Sequence, residues 1–261
     1  MEPIVEVTSN GAALRRLLKW LVPRCWEDGV ARCNELGKEL VAAGPVDKLL
    51  DVGCGDGRVT REFADVMQAK EVYGIEYVDD LADRARENGV ISLKSDLNES
   101  WPFERDSFDV VLSSQNIEHV HNTRLYLEEA YRCLKPGGRL LVLTENLSSW
   151  GNIGALIMGW QPFSTTHING WDLGNPLIWN SGDCGDEAVR QTWQGMGLSG
   201  AAGHVRVLAY KGLEELLFKV GFRDVRVNTR GYLPLWGKSS DFFCRIDPRH
   251  GHFLVAIGAK P

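Results

Sequence analysis

Residues 49–60 read LLDVGCGDGRVT, an apolar run that meets an acidic residue at Asp51 and then places glycine at 53, 55 and 57. A strand that runs straight into bare backbone and then into a helix brings N–H groups close to a ligand, with only hydrogen on the α-carbons to obstruct it. A nucleotide-type ligand is implied. The spacing is GxGxG, which differs from the GxGxxG of the dinucleotide fingerprint.

Outward from this loop, strand-length apolar runs alternate with helical patterns: KLLDV, GRVTREFADVMQ, EVYGIEY, VDDLADRARENG and VISLKSD. That rhythm is the sequence form of βαβ units on a parallel sheet. It continues with FDVVLSS at 108–114, a helical pattern near 122–134 and GRLLVLTEN at 138–146, with the breakers Lys135-Pro136-Gly137-Gly138 expected to separate helix from strand. The rhythm stops over 147–203, which holds Trp150, Trp160, Trp171, Trp179 and Trp193 and a single basic residue, Arg190. It resumes with the helical LEELLFKVGF, the strand RDVRVNT and a final strand HFLVAIGAK. Residues 11–43 read as a helix, with Leu14, Leu17, Leu18 and Leu21 on one face and Arg15, Arg16 and Lys19 between them. A basic amphipathic helix of this kind suits a membrane surface, but a helix capping the domain is the reading that enters the fold. The expected organisation is a helical cap over 1–45 and a ligand-binding domain over 46–261 with an insertion at 147–203.

The 261 residues are 44% hydrophobic, enough for a full core, and one α/β domain with insertions is the leading expectation. A formal net charge of −6 supplies no global positive field for nucleic acid. Cys25, Cys33, Cys54, Cys133, Cys184 and Cys244 form no CxxC pair and no zinc spacing, so reduced thiols are expected. The N-terminus starts acidic and lacks an apolar signal core, and IGALIMGW at 153–160 is far short of a membrane span, so a cytoplasmic protein without an integral membrane segment is expected.

Three further strand ends place polar groups beside the glycine loop, on the edge where open α/β sheets bind ligands. Glu76 ends the second strand nineteen residues after Gly57 and is followed by Tyr77; a carboxylate there accepts from both ribose hydroxyls. Asp96 follows the third strand, placed to accept from an adenine amino group while Leu97 packs on the ring. Ser113, Ser114 and Gln115 end the fourth. Cys54 reads as a packed thiol and not a nucleophile, since Arg58 is the one basic residue in its sequence neighbourhood.

Taken together, LLDVGCGDGRVT, EVYGIEY, KSDLNESWPFERDSFDVVLSSQNIEHV, YRCLKPGGRLLVLTEN and LEELLFKVGFRDVRV resemble, in order and spacing, the blocks of the class I S-adenosylmethionine-dependent methyltransferases of the small-molecule type. The resemblance covers most of 48–146 and 204–261. It implies a Rossmann-like doubly wound sheet of seven strands in the order 3-2-1-4-5-7-6, the last antiparallel. It also implies S-adenosyl-L-methionine as cofactor and S-adenosyl-L-homocysteine as product. Asp51, Gly53, Cys54, Gly55 and Gly57 would lie near the methionyl part, Glu76 and Tyr77 at the ribose, Asp96 and Leu97 at the adenine, with Ser114 and Gln115 completing the site.

Methyl transfer from a sulfonium is a direct displacement, so the protein mainly holds acceptor, methyl carbon and sulfur in line. An oxygen acceptor must also lose a proton, and His119 in SSQNIEHVHN is the candidate base; a structural histidine at a helix start is the competing reading. His167 is a weaker second candidate. Glu118-His119 resembles half of a metal-binding EVIEH pattern found in ubiquinone-pathway and small-RNA methyltransferases, but Gln115 replaces the first carboxylate, so no metal is expected. The Trp-rich insertion is expected to wall an acceptor pocket, with a satellite core or a dimer interface as the alternatives. From His204 to Pro261 ten Lys/Arg face five Asp/Glu, an excess suited to a phosphate or carboxylate on the acceptor or simply to a solvated face. The expected acceptor is a small molecule, O-methylated, of the sugar or lipid-linked kind; a homodimer is compatible, and no nucleic-acid partner is expected. A silent cofactor-binding subunit and an NAD-dependent oxidoreductase are the rival functions.

Overall fold

The computed structural model describes residues 9–168, 171–177 and 203–261. The parallel half of the sheet is built from β1 (Lys48–Val52), β2 (Glu71–Ile75), β3 (Ile91–Leu93), β4 (Phe108–Ser114) and β5 (Leu134–Glu145). To these are added β6 (Arg223–Arg230) and β7 (Phe253–Ala259), and the order across the sheet is β3-β2-β1-β4-β5-β7-β6. β7 runs antiparallel to both of its neighbours. This is the expected Rossmann-like order. In β1, four of five residues are buried, as a strand covered on both faces requires.

One face of the sheet is covered by α4 (Thr123–Cys133) and α6 (Tyr210–Val220), whose Tyr126, Leu127, Leu213 and Leu217 share a core with Leu50 and Val142. The other face carries α1 (Ser9–Val41) and α2 (Arg58–Val66), where Cys33 and Val41 join Phe63, Leu141 and Phe253 in a second core. α3 (Asp79–Glu87) adds Ala85 to this side. The N-terminal helix is therefore part of the layer architecture: from Val22 onward its inward residues are buried, while Leu17 and Trp20, further out, are exposed. Of the leucine stripe read from the sequence, Leu17 is exposed and Leu21 half-buried, and the side chains of Leu14 and Leu18 lie outside the described residues.

Three boundaries differ from expectation. Lys135-Pro136-Gly137-Gly138 do not separate helix from strand; β5 begins at Leu134, directly after α4, and Leu134 already pairs with Phe108. A register shift between Phe108 and Val110 takes up the irregular backbone, so the breakers sit inside the strand's first turn of pairing. The insertion contains α5 (Trp150–Ile157), a 3-10 turn (Phe163–Thr165) and a two-residue hairpin pairing His167 with Asp172 and Ile168 with Trp171. Trp179, Trp193, Cys184 and Arg190 lie outside the described residues, as do the side chains of His167 and Trp171. α7 (Gly237–Ile246), between β6 and β7, is an element the sequence reading did not separate.

Candidate functional site

The glycine loop is stitched to β2. Gly53 and Cys54 both donate backbone N–H to Ile75 O, at 2.8 and 3.0 Å. Gly53 has φ +81, and a Cβ there would overlap the side chain of Asn116, whose Nδ2 donates to Val52 O at 2.7 Å. Glycine is required at this position twice over, by conformation and by contact. At Gly55, by contrast, the place a Cβ would occupy is open, so the loop presents bare backbone to free space.

Glu76 closes the loop from the other side. Gly55 N donates to its Oε2 and Val78 N to its Oε1, both at 2.9 Å. Burial pushes its carboxyl up, and these backbone donors pull it back. Each oxygen retains accepting capacity.

A cleft of about 440 Å³ opens here, within the usual range of small-molecule and cofactor sites. Gly53, Gly55, Glu76, Tyr77, Asp96, Leu97, Gln115 and His119 all line it, so eight of the residues singled out in the sequence converge. Asp96 is organised by Asn98, whose backbone and side-chain N–H groups both reach its Oδ1, at 2.8 and 2.9 Å. The other four do not line the cleft. Asp51 is buried beneath the loop, where its Oδ2 accepts from Thr60 Oγ1 at 2.6 Å and its Oδ1 has no hydrogen-bond partner; burial pushes its carboxyl up to about 7. Cys54 turns under the loop towards Ser92, in the space left by the missing side chain of Gly74, and burial raises its thiol, as expected for a packed thiol. Gly57 caps α2 with φ +80, tight against Ala85 and Val90. Ser114 ends β4 beside the cleft without lining it.

Several lining residues were not singled out as site residues from the sequence: Trp26, Asn98, Asn116, His121, Glu145 and His204. Trp26 is the tryptophan on the wall, and it comes from α1; Trp150 and Trp160 of the insertion are not among the lining residues. His204 arrives from the far end of the insertion because Val205 and Arg206 donate their N–H groups to Glu118 O, at 2.8 and 3.0 Å. Its Nδ1 lies 2.6 Å from Ser164 O and 3.8 Å from Glu145 Oε2. His119 Nδ1 lies 3.3 Å from Gly203 O. A carbonyl can only accept, so in both rings Nδ1 carries a proton and, in the neutral form, Nε2 keeps a lone pair.

Below the two rings the polar groups continue inward. Glu118 Oε2 accepts from Thr144 Oγ1 at 2.8 Å, its Oε1 is unpartnered, and burial pushes its carboxyl up to about 7 against the pull of His204. Burial also acts upward on Glu145, but the imidazoles of His204 and His252 hold it below the usual carboxylate range. Glu118, His119 and His204 place ligand atoms within 4.8 Å of one another. A tetrahedral divalent ion, with ligands about 2.1 Å away, needs its ligand atoms roughly 3.4 Å apart, so this cluster would have to contract to hold one.

The methyltransferase-domain family model matches residues 50–142. The rat mitochondrial ubiquinone biosynthesis O-methyltransferase is 34% identical over 38% of this chain and 31% of its own length. A ubiquinone/menaquinone biosynthesis C-methyltransferase of Cereibacter sphaeroides is 29% identical over 53% of this chain and 55% of its own. The chain therefore matches less than two thirds of either relative. Among solved structures, a Thermotoga maritima S-adenosylmethionine-dependent methyltransferase, described as a possible histamine N-methyltransferase, aligns over 94% of this chain and 99% of its own with a TM-score of 0.54 and 22% identity, a likeness of fold. Over residues 50–142 the chain is thus similar to the methyltransferase-domain family, and its fold is like that of solved S-adenosylmethionine-dependent methyltransferases. The cofactor of that family fits the cleft on two observations: the open side of Gly55 and the twice-anchored Glu76 carboxylate, which faces the same space as Asp96.

Proposed function

We propose that the protein transfers a methyl group from S-adenosylmethionine to a small organic hydroxyl compound in a reducing, cytoplasmic compartment. The observation that carries this reading is that one cleft is lined both by the Glu76 carboxylate with the bare backbone of Gly55 and by His119 with His204 against it. The first pair suits the cofactor and the histidines an acceptor that must lose a proton. Free, buried Cys25, Cys33, Cys54, Cys133 and Cys244 fit a reducing environment.

Bound S-adenosylmethionine supplies an electrophilic methyl carbon on a sulfonium. Glu76 would accept from its ribose hydroxyls, and Asp96 and Leu97 would hold its adenine. Trp26 walls the cleft and excludes water. The acceptor hydroxyl donates to His119 Nε2, which takes the proton as oxygen attacks, while Gly203 O holds Nδ1–H and so sets the tautomer. Asp51, Cys54 and Gly57 serve from beneath by shaping the loop, and Ser114 and Gln115 do so from the end of β4.

The test is a screen of extracted metabolite, lipid, protein and nucleic-acid pools with methyl-labelled S-adenosylmethionine. Label is expected in a small molecule or lipid at oxygen. Label in carbon, as the name of the Cereibacter sphaeroides relative would suggest, would retain the cofactor site and remove the base. Binding of S-adenosylhomocysteine without label in any pool would favour a silent subunit.

A further inference from the structure

α7 is amphipathic in an unusual direction. Ser240 and Cys244 point inward, and Phe242, Phe243 and Ile246 point outward, 57%, 37% and 62% exposed. Exposed apolar side chains of this size on neighbouring elements are uncommon unless something covers them. They do not stand alone. The end of α5 and the residue after it are Leu156, Ile157 and Met158, all exposed, with Ile157 at 79%.

The two helices belong to one surface. Trp150, at the start of α5, donates its indole N–H to Asp247 Oδ2 at 2.7 Å, and Tyr232 donates to the same oxygen at 2.7 Å while stacking on Phe243. Leu233 packs over Gly151. The next residue, Pro234, meets α1 through its carbonyl, 3.4 Å from Cys25 Sγ, and the exposed Trp236 follows. On α1 itself, one residue past Cys25, Trp26 lines the cleft, and two turns further out Trp20 and Leu17 are exposed. The apolar surface therefore adjoins the part of the cleft wall that Trp26 forms.

Its charges are sorted. Lys238, Arg245 and Arg249 are exposed, and the Arg24 guanidinium lies over the Trp20 ring, 4.1 Å from its centroid. Three of the carboxylates here are engaged internally, Asp28 by Arg32 and Gly237 N, Asp241 by Arg32, and Asp247 by Trp150, Tyr232 and His250, while Glu27 on α1 is exposed among the cations. Aromatic and aliphatic side chains ringed by cations match the interfacial zone of an anionic bilayer, where tryptophan sits at headgroup depth and each Lys or Arg gains from the surface potential. A second copy of the chain fits less well. A symmetric pairing through this face would set the cations of both copies against each other.

We propose that the face made by the outer end of α1, by α5 and by α7 is a peripheral membrane-docking surface selective for anionic lipid. It does not depend on the methyl-transfer reading. The test is co-sedimentation of the full chain with vesicles of phosphatidylglycerol and phosphatidylcholine at low salt. Binding is expected to fall roughly tenfold or more on pure phosphatidylcholine, and similarly for Lys238→Glu/Arg245→Glu. Ile157→Asp/Phe242→Asp is expected to abolish pelleting while the circular dichroism spectrum and urea midpoint stay those of the wild type and certify the fold. No pelleting by the wild type, or equal pelleting by wild type and both variants, overturns the proposal. A wild-type dimer in light scattering that becomes a monomer in the aspartate variant, with neither form on vesicles, overturns it in favour of a second copy.

Discussion

His119 and His204, on opposite sides of the insertion, stand with ring centroids 4.8 Å apart and planes at 64°. Each hands its Nδ1 proton to a backbone carbonyl, Gly203 O for one and Ser164 O for the other. The pair is thus held by main chain at Nδ1.

With His119 as the base for a hydroxyl, His119→Ala is expected to lower turnover roughly a hundredfold to ten-thousandfold with little change in cofactor affinity. The wild-type rate should rise with pH as the base loses its proton. That limb should vanish in the variant. Near-normal turnover with an unchanged profile would leave catalysis to alignment alone.

The same two rings lie with Glu118 in the one three-residue cluster of metal-ligating type among the described residues. Gln115 offers a neutral amide where a hard cation prefers a carboxylate, and Glu118 is held towards its protonated form. Prolonged EDTA treatment is therefore expected to leave turnover within about twofold, a negligible change on the free-energy scale. Loss of activity restored by magnesium or zinc, with one equivalent of metal by elemental analysis, would instead assign the cluster as a metal site.

Glu76→Ala removes the carboxylate that the loop is folded around. S-adenosylmethionine affinity is expected to fall by about 1.5–3 kcal/mol, the range for hydrogen bonds to a charged group. Calorimetry on the folded variant checks it. Unchanged affinity would place the ribose elsewhere.

Asp51 and Glu118 both have folded-state pKa values pushed up to about 7 by burial. An acid raised on folding holds its proton in the native state after the unfolded chain has lost it. These two therefore make the apo protein lose stability as pH rises from about 4 to 7, by up to roughly 4 kcal/mol for each group. Relative to the wild type, the urea midpoint of Asp51→Asn, which keeps an acceptor for Thr60, should gain as pH rises across this window; an unaltered slope would show that Asp51 ionises freely in the fold.

The sheet was legible in the sequence because both faces of a parallel strand are buried. KLLDV, EVYGIEY and FDVVLSS are short apolar runs ending in Gly or polar residues, and the covalent order of strand, loop and helix forces those ends to one edge. Local chemistry therefore located Gly53, Gly55, Glu76, Asp96 and Gln115 in a single cleft. The breakers at 135–138 misled because Leu134 ahead of them and Arg139 after them both pair with β4, so β5 runs through them as an irregularity. Other contributions were decided by tertiary structure alone. Trp26 reaches the cleft because α1 packs on β7, its ring edge-on to Phe253 at 5.7 Å. His204 reaches it because the backbone of Val205 and Arg206 hydrogen-bonds to Glu118 O. Glu145 reads in sequence as an ordinary strand end, and its charge is set by two histidines, His204 and His252, which lie far from it along the chain and meet only in the fold. Periodicity and turn chemistry act over a few residues, whereas these contacts depend on which elements stack across the sheet edge, and that is settled only when the layers pack.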